Sequence, residues 1–104
     1  MNLSIRWSTR AADRLEEAVL YLESVRKGAG LRLLEQTNDA LKRASEHPES
    51  NPTIPGEPNT TRKIVISKFG YWIIYDVKDD LLVVLTVWSA IREPKSYRSD
   101  LPKE

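Results

Sequence analysis

Hydrophobic and polar positions alternate at the start of the chain and then change to a helical spacing. Leu3, Ile5 and Trp7 alternate with polar residues, and this pattern predicts a short, half-buried strand. After Ser8 or Thr9, either of which can cap a helix, apolar side chains recur every three or four residues. The resulting stripe comprises Ala11, Leu15, Ala18, Leu22 and Val25. The first element after the strand is therefore predicted to be an amphipathic helix.

A second amphipathic helix is predicted from about Leu31 to Glu46. Gly28 and Gly30 provide the stop signal between the two helices, and Pro48 ends the second one. The polar face of the first helix carries Arg14, Glu17 and Glu23, and the apolar stripe of the second carries Leu33, Leu34, Ala40, Leu41 and Ala44. Because the connection is so short, the two helices should form an antiparallel hairpin.

Three further runs, rich in β-branched and aromatic residues, predict strands at about Arg62–Ser67, Tyr71–Lys78 and Leu81–Trp88. We therefore expect one α+β domain over residues 1–104, ordered β-α-α-β-β-β, with the helical hairpin packed on a small, mainly antiparallel sheet. The last two strands should form its central hairpin. They are apolar on nearly every residue, so both their faces need a cover. The helical hairpin can cover only one face. The other face must expose apolar side chains, be covered by a folded-back tail or be completed by a partner.

A loop of about a dozen residues separates the second helix from the second strand. It contains Pro52, Pro55, Gly56 and Pro58, and it is near the upper length that compact domains use without a purpose. We expect it to wrap one edge of the sheet.

Composition narrows the classes of function. The chain has 104 residues, no cysteine and a single histidine, His47, which argues against disulfides and against Cys- or His-built metal sites. We expect no metal and no cofactor. No apolar run approaches the roughly 20 residues that cross a bilayer, so the expectation is a cytoplasmic protein that does not enter membranes. The net charge of +1 provides no strong field for nucleic acid.

Cations and aromatic residues nevertheless cluster in the second half of the chain. From residue 62 to residue 98 there are seven Lys or Arg against four Asp or Glu, a modest excess of three. The cluster comprises Arg62, Lys63, Lys68, Tyr71, Trp72, Tyr75, Arg92, Tyr97 and Arg98. It suits single-stranded RNA and a protein interface equally well. Arg92 follows an apolar strand directly, which places a cation at the end of that strand. Its two alternative roles are a contact with a bound target and an ion pair with Glu93 or Asp76.

Over nearly its whole length the chain resembles the RelE/ParE toxins of type II toxin-antitoxin systems. The resemblance rests on the order and spacing of LSIRWSTRAADRLEEAVLYL, RKIVIS, FGYWIIYDV and LLVVLTVWSAIREP. It implies a small α+β toxin that a cognate antitoxin binds and neutralises in a toxin-antitoxin hetero-oligomer.

Members of this family act in two ways. RelE-like members resemble one another in cutting messenger RNA in the ribosome with several basic residues and a tyrosine. Here Lys63 and Arg92 match two of those basic positions, whereas Val65 and Trp72 stand at two others, and Tyr97 lies about one residue from the tyrosine position. Val65 and Trp72 cannot stabilise charge on phosphorus. We therefore expect a ParE-like toxin that binds a target, DNA gyrase, without being an enzyme.

The target-binding residues expected on this basis are Arg62, Lys63, Trp72, Arg92, Tyr97 and Arg98. The alternative is a ribosome-dependent messenger RNA endoribonuclease whose catalytic residues would be Lys63, Arg92, Tyr97 and Arg98. A third interpretation is a degenerate member retained only to bind its antitoxin. Growth arrest on expression separates the third from the first two, and cleaved messenger RNA separates the second from the first.

Overall fold

A computed structural model describes residues 2–91 and 97–102. Its principal elements are β1 (Ser4–Trp7), α1 (Thr9–Val25), α2 (Ala29–Glu46), β2 (Thr61–Ile66), β3 (Tyr71–Lys78) and β4 (Leu81–Ser89), with single 3₁₀ turns at Pro48–Ser50 and Tyr97–Asp100. The four strands form one sheet in the order β1-β4-β3-β2, in which only the β1–β4 pair is parallel. The expected α+β fold and its central β3–β4 hairpin are confirmed.

Ser8, one of the two residues predicted to cap α1, is its N-cap. Its hydroxyl oxygen accepts a hydrogen bond from the Ala11 N–H at 3.0 Å, which satisfies one of the otherwise unpaired donors of the first helical turn. The same hydroxyl donates to the Leu85 carbonyl at 3.2 Å. One side chain thus starts the helix and ties that start to β4.

The turn between the helices differs from the prediction at Gly30. Gly28 adopts a left-handed conformation with φ of 90° and ends the turn, as a glycine readily does. However, α2 already begins at Ala29, so Gly30 lies within its first turn. A Cβ atom at Gly30 would overlap the Val19 carbonyl and would lie 2.8 Å from the Glu23 Cγ. Gly30 is therefore needed for close helix packing and does not act as a helix stop.

One face of the sheet, which we call the inner face, is covered by the helical hairpin. Tyr71, Ile73 and Tyr75 of β3 are buried there. They pack with helix residues that include Ala11, Ala18, Leu33, Ala40, Leu41 and Ala44, while Leu15 and Leu22 are partly buried at the margin. Val25 was predicted to join this stripe, but its side chain is 63% exposed. The prediction was wrong there because Val25 is the last residue of α1.

The opposite face, the outer face, is covered by the loop before β2 and by the C-terminal tail. Ile74 and Leu85 are buried against Ile54 of the loop, and Tyr97 and Leu101 of the tail pack on this small cluster. The loop runs along β2, where the Lys63 N–H donates to the Pro52 carbonyl at 3.1 Å. Of the three covers considered for this face, the folded-back tail is present, and the loop wraps the sheet edge as expected.

Candidate target-binding surface

The outer face carries a row of large apolar side chains that crosses three strands. Val65 of β2 lies opposite Trp72 of β3, and Trp72 lies opposite Trp88 of β4. Val65 is 50% exposed and Trp72 is half-buried, whereas Trp88 is buried. Val65 and Trp72, the two positions that interrupt the RelE-like basic pattern, are therefore direct neighbours. They form an apolar strip on the outer face, next to the β2 edge of the sheet.

Lys63 and Tyr97 flank this row at Trp72. The Lys63 Nζ lies 3.9 Å from the centroid of the Trp72 ring, within the range of a cation–π interaction. The Tyr97 ring lies 6.0 Å from the Trp72 ring, centroid to centroid, at an interplanar angle of 58°, which is a favourable tilted arrangement. The structure thus brings together three of the residues singled out in the sequence. We call Lys63, Val65, Trp72 and Tyr97 the outer patch.

Asp100 fixes the tail that carries Tyr97. Its carboxylate accepts hydrogen bonds from Arg14 Nε at 2.7 Å, from Arg14 Nη2 at 3.2 Å and from Thr86 Oγ1 at 2.8 Å, and the Asp100 side chain is only 2% exposed. Arg10 Nε is 3.6 Å away. The fork of two N–H donors to one carboxylate is the geometry that arginine favours. The tail is therefore attached to both α1 and β4.

The Arg14–Asp100 pair is charged at neutral pH. Burial raises the pKa of the Asp100 carboxyl, but the hydrogen bonds from Arg14 and Thr86 have a larger combined effect in the opposite direction. The pKa of Asp100 therefore lies below its usual value. The hydrogen bond to Asp100 raises the pKa of the Arg14 guanidinium. That guanidinium also lies over Trp88, 5.2 Å from the ring centroid. Arg14 does lie on the polar face of α1, as predicted, but its guanidinium contacts a buried carboxylate that the tail supplies.

A bulge in the sheet places Thr86 within reach of Asp100. The register between β3 and β4 shifts between Ile74 and Tyr75, which pair with Thr86 and Val84. Leu85 is therefore an extra residue on β4, and both Leu85 and Thr86 contribute to the outer face. Without this shift, strand alternation would turn Thr86 away from the tail.

The other predicted site residues lie in different environments. Arg98 is largely exposed and donates from Nε to Glu57 at 2.9 Å, which joins the tail to the loop. Arg62 is turned away from the outer patch, and its Nη1 donates to the Asn51 carbonyl at 2.5 Å. Arg92 lies outside the described residues. The structure therefore does not group Arg62 and Arg98 with the outer patch.

The sequence missed Asp100 and Thr86 as positioning residues of this surface. Neither lies in a motif, and their contact joins residues 14 positions apart in the sequence, which no local pattern encodes. Within residues 2–91 and 97–102 no group of three or more His, Cys, Asp or Glu side chains could hold a metal ion. In the same residues no helix is both long enough and apolar enough to span a bilayer.

Comparison with known proteins identifies the family. The model of the family described as the ParE toxin of the type II toxin-antitoxin system parDE matches residues 5–94. This range holds α1, α2, β2, β3, β4 and all of β1 except Ser4. The chain belongs to the ParE toxin family. A Sinorhizobium fredii protein, the proposed toxin Y4kP, is 34% identical over 86 residues, which make up 83% of this chain and 86% of that protein.

Solved structures of ParE and RelE toxins share the fold of this ParE family member. The chromosomal ParDE toxin-antitoxin system of P. aeruginosa matches with a TM-score of 0.68 and 15% identity, over 82% of this chain and 92% of that one. The intact RelBE toxin-antitoxin complex of E. coli matches with a TM-score of 0.63 and 25% identity, over 85% and 96% of the two chains. The isolated E. coli RelE toxin matches with a TM-score of 0.64 and 25% identity, over 88% and 87%.

Proposed function

We propose that this ParE family toxin inhibits growth by docking its outer patch on DNA gyrase, without cutting RNA. The observation that carries the proposal is the pairing of Val65 with Trp72 in register on adjacent strands. These are the positions where RelE-like enzymes resemble one another in having cations. Here they form a continuous apolar strip with Lys63 as the neighbouring cation.

The chemistry of RNA cleavage argues in the same direction. Each preorganised donor that stabilises developing charge on an oxyanion contributes about 3–4 kcal/mol, or roughly 10²–10³ in rate. An enzyme that lacked two such donors would be nearly inert. Tryptophan and tyrosine are instead enriched at the energetic centres of protein interfaces. A strip of Val65 and Trp72 beside Tyr97 is therefore better suited to burial against a protein than to contact with phosphates.

Induced expression in bacteria tests this function. We expect growth arrest, a DNA-damage response and accumulation of cleaved gyrase–DNA complexes, while ribosome-bound messenger RNA stays intact. The matched variant is Trp72→Ala, which should relieve the arrest while the protein still accumulates. Codon-phased cuts in ribosome-bound messages that disappear in Lys63→Ala would contradict the proposal and favour the ribonuclease.

The proposed partner is a cognate antitoxin, bound in a toxin-antitoxin hetero-oligomer in the cytoplasm. The P. aeruginosa ParDE toxin-antitoxin system and the E. coli RelBE toxin-antitoxin complex, whose structures share this fold, support this proposal. The chain also offers apolar side chains for such a partner, because Ile5 on the edge strand β1 is 40% exposed and Leu20 on α1 is 63% exposed.

Co-expression with the neighbouring short open reading frame tests the partner. An antitoxin should co-purify with the chain and raise its stability by several kcal/mol when its concentration far exceeds the dissociation constant. Absence of co-purification and of any thermal shift would overturn this part of the proposal. The proposal that gyrase is the target would be unaffected, because the expression experiment tests it separately.

A further inference from the structure

A cavity of about 150 Å³ lies where the turn between the helices meets the turn between β2 and β3. Its apolar wall includes Phe69, which is half-buried, and Ala29, which is buried. Gly28 opens one side, because nothing would lie within 4 Å of a Cβ atom there. The cavity is separate from the outer patch, whose residues do not line it.

Four cationic side chains surround this cavity: Arg26, Lys27, Arg32 and Lys68. Among the described residues none of the four forms an ion pair. The Lys68 Nζ lies 5.8 Å from the centroid of the Phe69 ring. The nearby Glu23 carboxylate interacts electrostatically with Lys27, which leaves an excess of positive charge around the cavity that favours a further anion.

The backbone of the turn argues against a bare phosphate as that anion. Phosphate sites at helix starts use free backbone N–H groups. Here the Glu23 carboxylate already accepts from the Gly28 N–H at 3.2 Å and from the Gly30 N–H at 2.9 Å, and the Ala29 N–H donates to the Arg26 carbonyl. The hydrogen bond from Gly28, followed by those from Leu31 and Gly30, lowers the pKa of the Glu23 carboxyl. Glu23 therefore occupies the place that a phosphate would take.

Apolar side chains stand beside the cations at the same turn. Val25 precedes Arg26 and is 63% exposed, and Leu31 precedes Arg32 and is 61% exposed. Phe69 lies in the cavity wall itself and offers an apolar contact next to four positive charges. We infer that this turn binds an acidic peptide segment of another protein, with the carboxylates on the four cations and one apolar side chain against Phe69. The inference holds whichever target the outer patch binds.

Binding of dye-labelled synthetic peptides to the purified full chain tests this inference. One peptide repeats Glu-Glu-Leu, and its partner repeats Glu-Glu-Ser with the same length and charge. The test variant is Lys27→Glu with Lys68→Glu. The control variant is Lys42→Glu with Lys78→Glu, which changes the net charge equally at two exposed lysines that do not line the cavity. Fluorescence anisotropy measures affinity, and circular dichroism checks that both variants are folded.

We expect the leucine peptide to bind more tightly than the serine peptide. Its affinity should fall about tenfold or more in the test variant, as the loss of several partly exposed charge pairs implies, and stay within about twofold in the control variant. Equal losses in the two variants, or equal affinities for the two peptides, would overturn the inference. So would a single-stranded oligodeoxynucleotide of matched charge that displaces the leucine peptide, because the cavity would then select phosphate.

Discussion

The two faces of the sheet are built in different ways. The inner face is covered by two helices whose apolar residues follow a regular spacing, and side chains such as Leu33 and Ile73 are fully buried there. The outer face is covered by a loop and a short tail that contribute single residues, among them Ile54 and Tyr97. Periodic helices thus cover the stable core, whereas single residues of the loop and the tail cover the face that carries the outer patch.

This difference suggests a division between stability and function. The outer patch needs side chains that remain accessible, so its cover is small. Asp100 attaches the tail to α1 and β4, and Arg98 attaches it to the loop. Functional surfaces are commonly placed on such parts of a fold because rigid scaffolds position them. Substitutions on the inner face should therefore unfold the protein, and substitutions on the outer patch should mainly change its activity.

Ile73→Ala and Ile74→Ala compare the two faces directly. The residues are neighbours in β3, both side chains are 0% exposed, and they belong to the inner and outer clusters respectively. Ile73→Ala should cost about 4 kcal/mol of unfolding free energy, because the two helices that cover the inner face are fixed in place and a cavity would remain. Ile74→Ala should cost about 2 kcal/mol, since the loop and tail can shift into the space. Urea unfolding measures both, and equal costs would remove the distinction.

Asp100→Asn tests the attachment of the tail. The variant removes the charge that Arg14 contacts while nearly keeping the shape of the side chain. We expect a loss of about 2 kcal/mol, less than for a fully buried pair because the Arg14 side chain is 21% exposed. Asp13→Asn, at an exposed position on α1, is the matched control and should be nearly neutral. If both variants behave alike, Asp100 does not anchor the tail.

The same anchor predicts a dependence on acid. Because the folded-state pKa of Asp100 is lowered, its contribution is fully present above the usual aspartate pKa of about 3.9 and is lost as the pH falls through the folded value. The stability difference between wild type and Asp100→Asn should therefore shrink below about pH 4. Thermal unfolding at stepwise lower pH measures it. A difference that stays constant would contradict the assigned charge.

Val65→Ser should separate activity from stability. Val65 is 50% exposed, so the change in unfolding free energy should stay within about 0.5 kcal/mol. Growth inhibition should nevertheless decrease, because a polar side chain would interrupt the strip beside Trp72. Leu20→Ser, at a similarly exposed apolar position on α1, is the control and should remain fully inhibitory without an antitoxin. Loss of inhibition in both variants would place the active surface elsewhere.

The sequence predicted the inner face better than the outer face, and the reason is physical. Tyr71–Lys78 was placed correctly, and the helix cap was narrowed to Ser8 or Thr9, because alternation and capping are local properties. The contact of Asp100 with Arg14 joins residues 86 positions apart, and no periodicity encodes it. Val25 and Gly30 failed for a related reason, since their roles depend on where the first helix ends and on how closely the helices approach.

Supercoiling of relaxed plasmid by purified DNA gyrase is the most direct test of the outer patch as a gyrase-binding surface. The wild-type protein should inhibit supercoiling and trap cleaved DNA, Val65→Ser should inhibit less, and Leu20→Ser should match the wild type. A cell-free translation reaction run in parallel should yield uncut messenger RNA. Gyrase activity unaffected by the wild-type protein, together with codon-phased messenger RNA cuts, would contradict the account.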